Sequence, residues 1–235
     1  MRKIAPKAIA QFVVLGALEI TIAGGVSFCL IGPQITDTYR GIAEIALTII
    51  LFYALAILGF RSLQRLAPLR GGQIPAGDVQ EHRAFLYMLH FILVFNPLLF
   101  SRLLPFPVLG VLLRALGAHM GKNSFCAGLV MDPPFVTLGD NSLIGNDAML
   151  IAHVIEGDEL AFLPIRIGKN VTIGARAIIM AGVTIDDGAI VGVQSVVRKG
   201  AHIRCGETWV GCPARPVGGC LEDQEGNVKG QNGMA

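Results

Sequence analysis

An aliphatic residue stands at every sixth position through the segment IGKNVTIGARAIIMAGVTIDDGAIVGVQSVVRKGAHI, residues 167–203. A helix repeats its buried face about every 3.6 residues and a strand about every 2, so neither element alone produces this period. A unit of six residues cannot bury its own apolar face and must stack on neighbouring units, as in a solenoid. Hexapeptide repeats of this kind predict a parallel β-helix. The aliphatic positions are Ile167, Ile173, Ile179, Ile185, Val191, Val197 and Ile203.

The repeat extends towards the N-terminus but is interrupted once. Earlier units begin at Leu138, Ile144 and Leu150. Leu150 and Ile167 lie seventeen residues apart, one residue short of three units, so the register must break between them. Residues 153–166 are therefore predicted to loop out of the coil, and the β-helix domain is predicted to cover residues 118–217.

Two long apolar segments precede the repeats. Hydrophobic residues make up 53% of the chain and charged residues only 15%, and the apolar excess lies in the first half. Residues 9–31 and 42–60 are each close to the ~20 residues that a helix needs to cross a membrane. The first segment is followed by a second and lacks an A-x-A-like cleavage site, which argues against a signal peptide. Residues 1–62 are predicted to form a transmembrane helical hairpin.

The distribution of basic residues predicts the orientation of this hairpin. The positive-inside rule places both of its ends, and the repeat domain that follows, in the cytoplasm, so we expect a multi-pass protein of the inner (cytoplasmic) membrane. A net charge of +2 without a basic run predicts no nucleic-acid partner. The five cysteines lack the paired spacing of a zinc site and are expected to be free thiols in this reducing compartment. The basic residues are Arg2, Lys3 and Lys7 before the first span, Arg61, Arg65 and Arg70 after the second, and only Arg40 between them.

The middle of the chain is apolar, but its sequence does not predict a third simple transmembrane helix. Residues 63–84 are polar and rich in glycine and proline, and are predicted to be a cytoplasmic linker. If the apolar block of residues 85–104 crossed the membrane, the repeat domain would lie on the external side. That would contradict the cytoplasmic placement that the basic residues predict. Residues 85–117 are therefore predicted to form membrane-embedded or interfacial helices, with spanning, re-entry and surface binding left open. The polar tail, residues 218–235, is predicted to be disordered.

Glu19 lies near the middle of the first predicted span. An ionisable side chain is costly in a membrane and usually faces a partner or a cavity. Two interpretations remain open, a contact between helices and a role near a lipid headgroup or an acceptor.

The repeats resemble the hexapeptide-repeat acyltransferases over about residues 116–217. The segment TWVGCPARPV (residues 208–217) is similar to the closing G-x-P-A-[RK]-x-[VI] motif of those enzymes. More narrowly, LRALGAHMG, DPPFVTLGD and LIAHVIEGDEL resemble the membrane-associated C-terminal region of polylysine-synthetase-type nonribosomal peptide synthetases. No adenylation or carrier domain accompanies them, so we expect a stand-alone relative.

The resemblance implies a left-handed β-helix, a homotrimer and an acyl-CoA whose pantetheine arm lies between two subunits. The predicted fold class is therefore mixed, with membrane helices followed by an all-β solenoid. Lys199 and Arg215 match basic positions near the CoA phosphates, and cations suit phosphate groups. Acyl-CoA is expected as a co-substrate, with no permanently bound cofactor or metal. The predicted cofactor-binding residues are Ala181, Gly182, Ser195, Lys199 and Arg215.

His153 is the candidate general base, and the resemblance supports its placement. It lies where the regular coil gives way to the predicted excursion, and an imidazole titrates in the range that acyl transfer needs. Asp132, Glu156 or Asp158 would orient the imidazole or bind the acceptor, and the sequence does not choose among them. His119 and His202 are interpreted as solvated or structural.

The sequence favours a membrane-anchored acyltransferase that moves an acyl group, such as acetyl, from acyl-CoA to a hydroxyl or amine. The acceptor is expected to be a membrane-proximal small molecule, lipid or carrier-linked group. Amide- or peptide-bond formation with an aminoacyl or carrier-bound donor is the alternative, and a non-catalytic scaffold is a third possibility. A zinc enzyme of the γ-carbonic anhydrase type is disfavoured, because the histidines lack the H-x4-H pair that those proteins use.

Overall fold

The computed structural model describes residues 2–32, 39–101 and 103–218. The predicted external connector at residues 33–38, Arg102 and the predicted disordered tail beyond residue 218, with Cys220, lie outside the described residues. The helical elements are α1 (Pro6–Ile31), α2 (Arg40–Leu66), α3 (Val79–His90), a π-helical turn (Phe91–Phe95), α4 (Asn96–Phe100), α5 (Phe106–Leu116) and a 3-10 turn (Pro133–Phe135). The strands are β1 (Gly72–Gln73), β2 (His119–Met120), β3 (Phe125–Cys126), β4 (Leu129–Val130), β5 (Val136–Leu138), β6 (Leu143–Ile144), β7 (Met149–Leu150), β8 (His153–Glu156), β9 (Glu159–Phe162), β10 (Ile165–Ile167), β11 (Thr172–Ile173), β12 (Ile178–Ile179), β13 (Thr184–Ile185), β14 (Ile190–Val191), β15 (Val196–Val197), β16 (His202–Ile203), β17 (Thr208–Gly211) and β18 (Ala214–Gly218).

Helices α1 and α2 pack against each other as an antiparallel hairpin. They contain 26 and 27 residues, and at about 1.5 Å per residue each exceeds the ~30 Å hydrocarbon core of a bilayer. Only 11% and 6% of their most apolar stretches are buried. Both helices are therefore long and apolar enough to cross a membrane, and they present apolar side chains to their surroundings.

Glu19 lies at the contact between these two helices. Its side chain is buried, and a Cβ built on Gly59 of α2 would come within 2.7 Å of Glu19 Oε1. The second carboxylate oxygen, Oε2, has no hydrogen-bond partner in the described part of the chain. Of the two interpretations of Glu19, a contact between helices or a role near a lipid headgroup or an acceptor, this position supports the first.

The third apolar segment runs without a break from Val79 to Phe100 and begins earlier than the predicted boundary at residue 85. The Asp78 side chain accepts a hydrogen bond from the Gln80 backbone N–H at 3.1 Å and caps α3, which satisfies an otherwise unpaired donor. Pro97 follows the π-helical turn, where the Asn96 N–H bonds the Phe91 carbonyl. Proline lacks an N–H and clashes with the carbonyl four residues earlier, and the wider turn relieves that clash.

This third segment lies along the repeat half of the molecule. Tyr87 near its middle packs edge-on against Phe162, with ring centroids 5.5 Å apart. Beyond its end, Leu103 and Leu104 line a cavity together with Gly128 and Met149 of the coil. Half of its most apolar stretch is buried, although its length and hydropathy would also allow it to cross a membrane. Its middle thus packs against the hairpin, and its C-terminal end faces a cavity shared with the coil, in contrast to the exposed helices α1 and α2.

The repeats form a solenoid of parallel strands with three faces. Ile167 pairs with Ile185, which pairs with Ile203, so every third six-residue unit stacks on the first. The inward-pointing aliphatic side chains of Ile173, Ile179 and Val191 are fully buried. The predicted period of six and the parallel pairing are therefore confirmed. The first face contains β2, β5, β10, β13 and β16; the second contains β3, β6, β11, β14 and β17, with β18 antiparallel at its edge; the third contains β4, β7, β12 and β15.

The predicted break in register is an ordered β-hairpin. Leu138 pairs with Ile167, although a regular coil would require a separation of three units. The extra residues fold into the antiparallel pair β8 and β9, in which His153 lies opposite Phe162. Strand β1, from the predicted linker, adds a third strand through the pair Gly72 and Phe162. The linker of residues 63–84 is thus partly structured, since it contains the end of α2, strand β1 and the start of α3.

The three faces differ in the side chains that they point outwards. The first face is polar, and its outward residues are His119, Thr137, Arg166, Thr184 and His202. The second and third faces are largely apolar. The outward residues of the second face include Phe125, Leu143 and Ile190, and those of the third are Leu129, Met149, Ile178 and Val196.

Candidate active site around His153

A groove separates the third face of the coil from the hairpin β8–β9. Its volume is about 410 Å³, and its floor is apolar, formed by side chains such as Ile178, Met180 and Val196. Four of the predicted site residues line this groove. They are His153, Glu156, Ala181 and Lys199.

Asp132 holds His153 in place. Its Oδ2 atom lies 2.7 Å from His153 Nδ1 and also accepts the backbone N–H groups of Ala152 and His153, at 3.1 and 3.0 Å. Asp132 is almost fully buried, and a buried carboxylate needs such partners to offset its lost hydration. Among the three carboxylates left open by the sequence, Asp132 is the one that orients the imidazole.

This contact determines which nitrogen of the His153 ring is left without a proton. Because Nδ1 donates to the carboxylate, the neutral imidazole carries its lone pair on Nε2. Burial lowers the pKa of His153, but the hydrogen bond that His153 donates to Asp132 and the negative charge of Asp132 act in the opposite direction and prevail, so the pKa is raised. About a quarter of the side chain, 26%, remains exposed. The arrangement can therefore accept a proton at Nε2 and stabilise the imidazolium that results.

Two aromatic side chains lie close to the Asp132–His153 pair. The Phe162 ring is fully buried and lies 6.4 Å from the His153 ring. The Tyr87 hydroxyl is buried close to Asp132 and has no hydrogen-bond partner within the described residues. Sequence reasoning missed Tyr87 because it lies in an apolar helical block far from the repeats. In the sequence, the only signal was the hydroxyl group that Tyr87 carries within an apolar segment.

Lys199 and Glu156 connect the two walls of the groove. Lys199 Nζ, on the coil, lies 2.8 Å from Glu156 Oε2, on the hairpin. Both side chains are substantially exposed, so the pair adds little to stability. The Lys199 ammonium can exchange this carboxylate for a phosphate group of a ligand.

Other predicted site residues lie outside the groove. The Ser195 side chain is fully buried, and its hydroxyl accepts the Gly211 N–H at 3.1 Å, so it supports a corner of the coil. The Gly182 N–H is bonded to the Leu163 carbonyl at 3.0 Å and is not free for a cofactor. Arg215 is exposed on β18, at the edge of the second face. Asp158 lies in the hairpin turn, where its carbonyl accepts a hydrogen bond from Arg2 Nε at 2.8 Å.

The remaining histidines and the cysteines of the described residues lie apart from the groove. His202 Nε2 lies 2.7 Å from Asp186 Oδ2 on the exposed first face. Within residues 2–32, 39–101 and 103–218, no group of three or more His, Cys, Asp or Glu side chains is placed to hold a metal ion. The cysteines in these ranges, Cys29, Cys126, Cys205 and Cys212, are free thiols.

Comparison with known protein families supports the repeat assignment. Residues 164–199 match the family described as "Bacterial transferase hexapeptide (six repeats)". This match covers the later part of the coil, where the period of six is unbroken. The resemblance stated from the sequence is thereby confirmed.

Relatives include enzymes of two kinds. The chain is 35% identical over 104 residues to the delta-poly-L-ornithine synthetase of Acinetobacter baumannii, covering 43% of this chain and 8% of that protein. It is 37% identical over 91 residues to the galactoside O-acetyltransferase of Escherichia coli, covering 34% of this chain and 44% of that protein. The chain thus spans less than half the length of these two relatives.

Solved structures of hexapeptide-repeat acetyltransferases are also similar. One, from Vibrio cholerae and in complex with acetyl coenzyme A, has 27% sequence identity and a TM-score of 0.41, covering 44% of this chain and 60% of that chain.

Proposed function

We propose that this protein is a membrane-anchored acyltransferase that transfers an acyl group, such as acetyl, from acyl-CoA to a hydroxyl or amine of a membrane-proximal acceptor. The observation that carries the proposal is the pair of Asp132 and His153, joined at 2.7 Å in a groove that also contains Lys199. A buried carboxylate that orients an imidazole is the arrangement by which a general base is positioned.

The chemistry follows from the free nitrogen of His153. Nε2 removes the proton from the acceptor as its oxygen or nitrogen attacks the thioester carbonyl carbon. Asp132 stabilises the imidazolium that forms. When the tetrahedral intermediate collapses, the carbon–sulfur bond breaks and the imidazolium returns the proton to the departing thiolate. The products are the acylated acceptor and free CoA, and His153 is again neutral.

The donor is proposed to lie between two copies of the chain in a homotrimer of left-handed β-helices. The apolar second and third faces support this assembly, because they would otherwise expose apolar side chains to water. If the second face of one copy covers the groove on the third face of the next, Arg215 of that neighbour approaches Lys199. Two cations would then hold the CoA phosphates.

The membrane anchor is proposed to hold this site at the cytoplasmic surface. Arg2 precedes α1 and Arg61 follows the apolar core of α2, so both outer ends of the hairpin carry positive charge on the side of the repeats. The segment of α3 and α4 is proposed to lie at the interface and not to cross, because its middle packs against the hairpin β8–β9 and half of its most apolar stretch is buried. An acceptor in the bilayer surface would then meet the groove directly.

Amide-bond formation is the second candidate, and one observation favours it. The similarity to a poly-L-ornithine synthetase is consistent with an amine acceptor and an aminoacyl or carrier-bound donor. The same base would serve, since a neutral amine, formed when the ammonium has lost its first proton to solvent, must lose a second proton as the amide forms. A non-catalytic scaffold, the third possibility, would bind no CoA.

The test compares His153→Ala, Lys199→Ala and Arg215→Ala in detergent-purified protein. The assay supplies acetyl-CoA and a membrane extract, and measures both free CoA and acylated products by mass spectrometry. Removing the base should lower kcat by ~10²–10⁴-fold with little change in CoA affinity. Removing either cation should raise the acyl-CoA KM about fivefold with a smaller effect on kcat.

His202→Ala is the matched control, because His202 also pairs with an aspartate but lies on the polar first face. Its turnover should equal that of the wild type. Near-wild-type turnover of His153→Ala would show that the base lies elsewhere or that the protein is no acyltransferase.

A further inference from the structure

A second cavity lies beside the candidate active site, between helix α3 and the hairpin β8–β9. Its volume is about 300 Å³, and its lining is almost wholly apolar. Helix α3 and the π-helical turn contribute Met88, Leu89 and Ile92, and the hairpin contributes Ile155 and Leu160. No feature of the proposed acyl-CoA groove accounts for this cavity.

One side chain separates the two spaces. Ile155 lines the apolar cavity and also lines the groove that contains His153. His153 and Ile155 are two residues apart in strand β8, and alternate residues of a strand point to the same side. A ligand in the apolar cavity therefore reaches the imidazole by passing Ile155.

The cavity opens towards the surface that the anchor would place in the bilayer. Ile92 and Leu93, which line it, are 47% and 55% exposed. An apolar opening of this kind is unfavourable in water and suits the hydrocarbon chains of lipids. The opposite end is closed by Arg2, whose guanidinium lies 3.2 Å from Glu81 Oε1 and bonds the Asp158 carbonyl.

We propose that this cavity binds the alkyl chain of a membrane lipid that is itself the acyl acceptor. The chain would enter from the bilayer beside Ile92, and the headgroup hydroxyl or amine would pass Ile155 to reach His153. This inference rests on the proposed function and names the class of its acceptor. The acyl-CoA groove lies on the coil side of the hairpin, so donor and acceptor would occupy two different spaces that meet at Ile155.

The test is photochemical and does not depend on turnover. Full-length protein in nanodiscs is irradiated with lysophosphatidylethanolamine that carries a diazirine in its alkyl chain, and labelled peptides are mapped by mass spectrometry. Label is expected on residues 155–160 as well as on the exposed faces of α1 and α2. Shortening the chain should lower labelling of residues 155–160, because a shorter chain makes fewer packing contacts with the cavity wall.

Two variants fill the cavity, Met88→Trp and Ile92→Trp, and each should lower the labelling of residues 155–160 at least fivefold. Val111→Trp is the matched control, because Val111 is an exposed apolar residue of α5 outside the cavity. Its labelling should be unchanged. An unaltered melting temperature shows that a variant has folded, and Ile92, which is half exposed, is the more tolerant of the two positions.

Label confined to α1 and α2 would overturn the proposal. It would also be overturned if the cavity were labelled by a diazirine-bearing long-chain acyl-CoA and not by the lipid, since the donor chain would then be its occupant. His153→Ala should bind and be labelled like the wild type. A cavity that is labelled in a protein without acyltransferase activity would therefore reject the proposed function while retaining the lipid site.

Discussion

A single carboxylate oxygen of Asp132 accepts three hydrogen bonds. Oδ2 accepts two backbone N–H groups at the start of the hairpin and the His153 ring nitrogen. The same contacts therefore define the hairpin's departure from the coil and the orientation of the base. Exchanging the carboxylate for an amide keeps the shape but removes the charge that holds a proton on His153.

Asp132→Asn should shift the pH dependence of the reaction. The base acts only when neutral, so the rate rises as pH increases through the raised pKa of His153. Without the negative charge that pKa falls, and the rise in kcat/KM should move to lower pH. The maximal rate should also fall, by about tenfold or more, because the imidazolium loses its stabilising partner. Rate profiles between about pH 5 and pH 9 measure both effects, and an unmoved midpoint would argue against this pair.

Among the elements, the sequence predicted the coil but not the strands of the hairpin. The inward aliphatic residues repeat without exception from Ile167 to Ile203, and this local regularity was enough to predict the solenoid. Strand β1 could not be predicted, because its two residues, Gly72 and Gln73, have no periodicity and pair with a segment distant in sequence. The hairpin appeared in the sequence only as a break in register.

Removing buried volume from one coil should weaken the whole solenoid. Ile179 is fully buried and pairs with Leu150 and Val197 on the two neighbouring coils. Ile179→Ala should lower the free energy of unfolding by about 2–5 kcal/mol, which corresponds to a fall in Tm of several degrees, measured by circular dichroism in detergent.

Val193→Ala is the control for this truncation, because Val193 is 65% exposed at a corner of the coil. Its Tm should stay within about 2 °C of the wild type. Equal losses at Val193 and Ile179 would contradict the assignment of Ile179 to the core.

For the whole molecule, the apolar second and third faces lead us to expect a closed trimer with identical heterologous contacts. Native mass spectrometry in detergent should give three chains. Ile190→Asp places a charge on the second face and should shift the mass towards the monomer, whereas Thr137→Asp, on the polar first face, should remain trimeric. A stable and active monomer of the wild type would contradict a site shared between copies.

The orientation in the membrane is a second prediction at this scale. A reporter fused after Arg70 or at the C-terminus should be cytoplasmic, and one inserted near Thr36 should be external, because the basic residues flank the outer ends of the hairpin. Protease protection or a paired reporter assay distinguishes the two sides. An external C-terminus would reverse the orientation and separate the site from cytosolic CoA.

The sequence by itself determined the solenoid and the two apolar helices, because these depend on local periodicity and local composition. A short motif also singled out His153 as the candidate base, which stays a prediction. Only the tertiary structure decided that Asp132, rather than Glu156 or Asp158, contacts the His153 imidazole. Asp132 and His153 are adjacent because successive coils stack, and stacking brings together residues that are one turn of the solenoid apart. The structure also turned Ser195 inwards and brought Tyr87 of α3 beside Asp132. Such contacts depend on how separate elements pack against each other. The periodicity within one segment does not predict that packing.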